Sequence, residues 1–341
     1  MPSTVGRMRR GAPFTERCVH MPSFHTAAFV GGIILLASQV PGLVDRTQPA
    51  PANFSVEKPP AERVVAPSNA PLDVAKADDF EVVLQETGFD LNDIRGGSDL
   101  VPAIYLASLP GDLGSLDQIK RKKQLFFSAV LPLVLRANEK VARERVRLIR
   151  FRDRALDGAQ LRPVERDWLL KLADRYGLDA EDAEIDSTLF AGLLLKVDEI
   201  PVSLALAQAA VESGWGASRF ARHGNALFGQ RAWTEKAGIA PKERDSGEKH
   251  VVRKYDSLLG SVASYVHNLN SHPSYRDFRQ RRAALRMAGR ALDGKLLAGG
   301  LLSYAEIGQA YVDMLRLVIT KNRLDDFEGA ILKRPLMTVS G

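Results

Sequence analysis

Glu212 is the residue whose neighbours in sequence best suit acid–base chemistry. It stands in residues 200–230, IPVSLALAQAAVESGWGASRFARHGNALFGQ. Pro201 suits the start of a helix, and Gly214 and Gly216 suit its end. At helical spacing Glu212 shares a face with Ala205, Gln208 and Ala209, and Trp215 follows one turn later. A carboxyl group at a helix end, among small side chains, one amide and one indole, has room for a ligand on one side and a ring to exclude water on another. Partial desolvation raises a carboxyl pKa, and a carboxyl that keeps its proton near neutral pH is a general acid. An exposed helix-end glutamate without chemistry is the commoner arrangement, and spacing alone does not separate the two.

Other chemistries leave no pattern. His20, His25, His223, His250, His267 and His272 show no HExxH or other ligand spacing. Ser213 lies in ESGWG rather than GxSxG, and neither GxGxxG nor GxxxxGK[ST] occurs, which argues against a serine hydrolase and a phosphate loop. The single cysteine, Cys18, rules out an intramolecular disulfide and any CxxC zinc or iron–sulfur signature. No cofactor and no metal is expected.

The elements that must hold Glu212 are read from periodicity. A chain of 341 residues suggests about two domains. Residues 78–94, DDFEVVLQETGFDLNDI, suit one short helix or strand. Residues 115–156 show helical spacing through Ile119, Phe126, Phe127, Val130, Val134, Val141, Leu148 and Ile149, with Pro132 expected to kink or interrupt the helix. Its KRKK and NEKVARERVR faces have no interleaved aromatics, so they read as solvated helix surface and not as a nucleic-acid site. Residues 161–177 carry Pro163 for a first turn, Gly177 for a stop and a core stripe of Val164, Trp168, Leu172 and Tyr176. Residues 187–197 are nearly all apolar and are expected to be buried. A further helix over 257–270 repeats Leu258, Val262, Tyr265, Val266 and Leu269. The last helix is expected to open on the capping box Ser303-x-x-Glu306 and to run through Ile307, Tyr311, Leu315 and Val318. Only residues 238–256 read as β structure, with Val251, Val252, Lys254 and Tyr255 in a strand and Asp245-Ser246-Gly247 in a hairpin turn. The fold class expected is mainly α with one small β element.

The N-terminus reads as an export segment. Residues 1–44 hold Arg7, Arg9, Arg10 and Arg17 against Glu16, half of the net charge of +6. The uncharged run TAAFVGGIILLASQVPGLV, residues 26–44, follows them. Basic residues before an apolar run are the pattern of a secretory signal or an uncleaved signal-anchor in the inner membrane, with the arginines kept on the cytoplasmic side. Residues 45–77 contain six prolines and few large apolar side chains, and read as an extended tether. The division expected is thus 1–44 signal or anchor, 45–77 linker, 78–158 helical region packed on the catalytic unit, 159–330 catalytic domain and 331–341 tail.

The wording of the Glu212 stretch goes further. AQAAVESGWGASRFARHGNALFGQ resembles the signature of the bacterial glucosaminidase superfamily, in which an ALESGWG-like helix end leads to an N-LFG turn. VPAIYLASLP (101–110), KKQLFFSAVLPLVL (122–135), VRKYDS (252–257), SYVHNLNSHPSYRDFR (264–279) and LLSYAEIGQAYV (301–312) resemble its Bax-like branch, so the resemblance spans residues 100–327. It implies a lysozyme-like helical domain with a β-hairpin lobe, placed at the cell envelope or periplasm. The implied activity is cleavage of β-1,4 linkages next to N-acetylglucosamine in peptidoglycan or a chitin-like glycan. Glu212 falls on the family's catalytic glutamate. Gln208, Ser213, Trp215, Asn225 and Phe228 fall on motif positions that shape the cleft, with packing the better reading for Phe228. Tyr275, in HPSY, and Tyr304 fall on tyrosines expected to contact sugar. Relatives carry two cysteines in the loop after LFGQ; Ala232 and Ala237 stand there in this chain.

Hydrolysis also needs a second group to handle water or the oxocarbenium charge. Glu243, Asp245 and Glu248 lie around the expected hairpin turn, where a lysozyme-like lobe would hang them over the cleft. Glu248 is the preferred partner, because it opens the strand and its separation from Glu212 resembles that in relatives. The substrate's own acetamido group is an alternative. A lytic transglycosylase, in which one glutamate performs both proton steps, and a non-catalytic glycan-binding scaffold are the competing functions.

Overall fold

The structure, a computed structural model, describes residues 71–179, 185–232, 238–240 and 251–333. The expected export segment, the hairpin turn, Ala237, Glu243, Asp245 and Glu248 lie outside the described residues. Among the described residues no helix is long and apolar enough to cross a membrane.

Eleven α-helices and a small sheet make up the described chain. Two short helices, α1 (Ala77–Thr87) and α2 (Leu91–Arg95), stand where the sequence suggested one helix or strand. Gly88 separates them at φ +66, a left-handed conformation that only glycine adopts without strain. Then come α3 (Ile119–Leu156), α4 (Pro163–Arg175), α5 (Ser187–Lys196), α6 (Val202–Ser213) and α7 (Arg219–Gly224). After the sheet follow α8 (Leu258–Ser271), α9 (Arg276–Met287), α10 (Gly294–Ala298) and α11 (Gln309–Lys321). The sheet has three antiparallel strands, β1 (Arg231–Ala232), β2 (Gly238–Ile239) and β3 (Val251–Arg253), in the order β1-β3-β2. The fold is therefore mainly α with a small β element, as expected.

Helix α3 is the centre of the described residues. Every residue from Leu125 to Leu135 is buried, and a helix apolar on all sides must be covered on all sides. Its chief neighbours are α6, α8 and α5. Pro132 removes one donor, yet the helix runs on through it without a break. A proline costs about 3 kcal/mol in a helix interior, and the packing around α3 offsets that. Polar side chains then fix the register. Asn138 donates to the Ile200 carbonyl at 2.7 Å and accepts from the Ile200 amide at 3.0 Å, while Arg145 donates to the carbonyls of Leu194 and Val197. These contacts hold the turn that leads into α6. A chain beginning at Ala159 would leave the faces of α6 and α8 uncovered. Such a fragment is expected to lose its cooperative unfolding transition, and full activity with an unchanged Tm would show instead that residues 78–158 are a separate module.

Several expected details differ. The capping box at Ser303 and Glu306 does not form, because residues 302–307 are turns and the helix starts at Gln309, after Gly308 at φ +52. Ile307 is consequently 58% exposed and not part of a stripe. Helix α5 buries only Leu189, Phe190 and Leu193, so its apolar composition covers one face and not all. Val164, expected in the core of α4, is 61% exposed, and Leu169 takes the buried position. The expected tether also overlaps the packed chain, since Leu72 pairs with Leu106 and Val74 is buried. At the other end Leu332, expected in the tail, pairs with Val101.

Helix α6 is almost wholly buried and lacks a cap of its own, since Pro201 has no side-chain acceptor. Glu328 supplies it from far along the chain. Its carboxylate accepts from the Val202 amide at 2.9 Å, from the Ser203 amide at 3.3 Å and from the Ser203 hydroxyl. Burial pushes the Glu328 carboxyl above its ordinary pKa, and these donors work against that push.

Candidate active site

Glu212 is the next-to-last residue of α6. Three left-handed residues in a row, Gly214, Trp215 and Gly216, turn the chain away from the helix. A tryptophan at φ +58 is strained unless its surroundings fix it. Here the indole is held edge-on by Phe126 and Phe127 of α3, with centroids 5.9 and 5.4 Å away, and the Lys123 ammonium lies over its face. A Cβ on Gly216 would stand 2.9 Å from Leu109 Cδ1 and force that side chain to shift. Ser213 ties the turn together by donating to the Ala209 carbonyl and accepting from the Gly216 amide. The SGWG turn thus anchors the C-terminal end of α6 to α3.

Tyrosines surround the carboxyl group. Tyr311 of α11 donates to Glu212 Oε1 at 2.7 Å. The Tyr304 ring stacks on Tyr311 at 5.3 Å, and Tyr275 leans on Tyr304 at 5.7 Å. Tyr265 of α8 stacks on Phe228 at 3.8 Å, and Tyr304 donates to the Phe228 carbonyl. The turn through Phe228 passes beside the carboxyl, because a Cβ on Gly229 would lie 3.7 Å from Glu212 Oε2. Burial among these groups raises the Glu212 pKa, and the hydrogen bond from Tyr311 opposes part of the rise. The water-excluding rings are therefore tyrosines from α8, the Pro273–Tyr275 turn, residues 301–308 and α11. The indole expected in that role is engaged by α3 instead.

Residues 191–324 match the Glucosaminidase family, described as mannosyl-glycoprotein endo-beta-N-acetylglucosaminidase. Over 217 residues the chain is 33% identical to Protein bax of Escherichia coli (strain K12), which covers 64% of this chain and 75% of that protein. The chain belongs to the Bax-like glucosaminidases. It is a glycosidase. Two solved structures also resemble it. The catalytic domain of the autolysin Auto from Listeria monocytogenes is 21% identical, with 52% of this chain and 96% of that chain covered at a TM-score of 0.29. A C-terminally truncated glycoside hydrolase domain from Salmonella typhimurium FlgJ is 24% identical, with 46% and 97% covered at a TM-score of 0.27.

In this Bax-like glucosaminidase the residues expected to touch sugar fall into two groups. Tyr275 and Tyr304 belong to the ring cluster beside Glu212. Gln208 and Ser213 do not line a cleft, since both have 0% exposure and use their polar atoms within the protein. Asn225 caps α7 in a left-handed conformation and donates its amide to the Tyr255 carbonyl. Trp215 is half-buried against α3. Periodicity marks Tyr265 and Tyr311 only as core positions. Their signal was chemical, because a tyrosine in an apolar stripe needs a partner for its hydroxyl, and Gln208 is the one amide in the apolar stretch from Val202 to Val211. Among the described residues no cluster of His, Cys, Asp and Glu is arranged to hold a metal ion.

Proposed function

We propose that the protein hydrolyses β-1,4 glycosidic bonds next to N-acetylglucosamine in peptidoglycan, with Glu212 as the general acid. The observation that carries this reading is a carboxyl group with a raised pKa, set at a helix end among tyrosine rings, in a chain of the glucosaminidase family. A protonated carboxyl is suited to a sugar polymer, since it can give its proton to the bridging oxygen, and Tyr304 beside it is the half-buried ring of the cluster. The Glu212 proton passes to the glycosidic oxygen as the C1–O bond breaks, and that oxygen keeps the electron pair. Water, activated by Glu248 or preceded by the substrate's acetamido oxygen, then takes C1.

End-group analysis of purified glycan strands after digestion tests the reading. N-acetylglucosamine reducing ends are expected. Anhydro ends would indicate a lytic transglycosylase, and binding without cleavage would indicate a glycan-binding scaffold.

The same proposal places the enzyme at the cell envelope through residues 26–44. A fusion of residues 1–77 to a reporter active only in the periplasm is expected to be active. A silent fusion retained in the cytosol would remove the export segment from this reading.

A further inference from the structure

Behind Glu212 runs a chain of hydrogen bonds. Tyr265 donates its O–H to Gln208 Oε1 at 2.7 Å, Gln208 Nε2 donates to the Tyr311 oxygen at 2.9 Å, and Tyr311 donates to Glu212 Oε1 at 2.7 Å. An amide can be turned end for end and hydroxyls rotate, so the reverse chain, in which Glu212 donates to Tyr311, is the alternative to weigh. The buried end decides between them. Tyr265 has 0% exposure, and Gln208 is the one hydrogen-bond partner of its hydroxyl among the described residues. In the reverse chain Gln208 Nε2 would donate to the Tyr265 oxygen. The Tyr265 proton would then lose its one acceptor among the described residues, and an unmade buried hydrogen bond is costly. The forward direction leaves no such proton.

We infer that Tyr265, Gln208 and Tyr311 are positioning residues that assign the catalytic proton to one oxygen of Glu212. Oε1 is held as an acceptor, so the acidic proton sits on Oε2, the oxygen beside Gly229. This rests on the reading of Glu212 as the general acid. When the O–H bond at Oε2 breaks, its proton goes to the leaving glycosidic oxygen, which also receives the C1–O electron pair. The carboxylate left behind is met at Oε1 by the Tyr311 hydroxyl, already aimed. The relay thus points the acid in one direction and steadies its anion without contacting substrate.

The groups facing Glu212 allow a clean test. Gln208 faces it from α6, Tyr265 from α8, Tyr275 from the 273–275 turn, Tyr304 from the 301–308 segment, Tyr311 from α11 and Gly229 from the 225–229 turn. Among the described residues its titratable neighbours are therefore tyrosines, whose pKa values burial raises, so they stay neutral across an ordinary assay range.

In the full chain, Tyr311→Phe is expected to move the alkaline limb of kcat upward by about one pH unit, because the carboxylate loses its hydrogen bond. kcat at the optimum falls and KM holds. Tyr265→Phe does not remove a bond to Glu212, yet it frees the chain to reverse and should move the limb in the same direction by less. Carbon-13 titration of labelled glutamate, with the Glu212 signal assigned by its absence in Glu212→Gln, should report the same shifts without turnover. Should Tyr311→Phe fail to fold, Tyr265→Phe and the titration still decide. A limb and a titration unmoved in a folded variant, with Glu212→Gln inactive, would overturn the relay and leave the acid in place. An active Glu212→Gln would overturn the underlying reading.

Discussion

Glu212→Gln is expected to fold as the parent does and to lose roughly 10²–10⁴-fold of its glycan cleavage, the range that general acid catalysis contributes. The amide keeps the shape of the carboxyl, and its oxygen still accepts from Tyr311, so nothing in the cluster has to move. What disappears is the proton. The parent enzyme supplies the matching pH dependence. Burial disfavours the charged form of Glu212, so its pKa lies above the ordinary glutamate value. The acid is competent while protonated, and activity is lost as pH rises through that elevated pKa. The alkaline limb should therefore stand above the usual carboxylate range in the parent, and initial rates across pH would locate it. A folded Glu212→Gln that cleaves glycan at near the parental rate would remove Glu212 from the reaction.

The second large effect is on stability. Asp198 has 1% exposure and meets three guanidinium groups: Arg286 at 2.8 Å, Arg145 at 3.6 Å and Arg282 at 3.8 Å. Arg282 has 0% exposure and also donates to Asn270 Oδ1 and to the carbonyls of Leu195, Lys196, Asp198 and Glu199. Burial draws the Arg282 guanidinium down to about 10, which still leaves it charged at neutral pH. Asp198→Ala would strand that charge. Breaking a buried pair on one side costs about 3–5 kcal/mol, a fall of roughly 10 °C in Tm for a domain of this size. Urea unfolding of Asp198→Ala measures it, and a loss below about 1 kcal/mol would show that the backbone acceptors alone satisfy Arg282. The pH dependence carries the same sign. Burial would raise the Asp198 carboxyl, but the arginines outweigh it and hold it below its ordinary value. The contribution is therefore present above the unfolded aspartate pKa and fades as pH falls through the lower folded value. The variant should lack that acid-side decline.

The place of Glu212 at a helix end was legible because three signals coincide in a few residues: a helix, a glycine stop and a motif. The rest of the site was not. Tyr265 and Tyr311 recur at core spacing, and periodicity treats a tyrosine as it treats a leucine, so their hydroxyls are invisible until Gln208 is seen between them. Trp215 and Glu212 are three residues apart and read as one group, yet the left-handed turn sends the indole to α3. The capping box at Ser303 failed for a similar reason. The pattern is local, but Gly308 at φ +52 sets the start of α11 further on. Periodicity locates helix α3 and its proline but implies one solvated face, whereas the middle of the helix is buried all round. The Asp198 cluster and the Glu328 cap join residues far apart in the chain, and no local pattern reports such pairs.

The Glu328 cap has a further bearing on the acid. A helix carries a macrodipole, positive at its first turn and negative at its last. In α6 the positive end meets the Glu328 carboxylate and the negative end carries Glu212. The field of one helix therefore favours charge on the first carboxyl and disfavours it on the second. Its influence on Glu212 adds to that of burial and, like burial, is strongest where water is excluded. The Glu212 proton is then retained by the backbone as well as by burial.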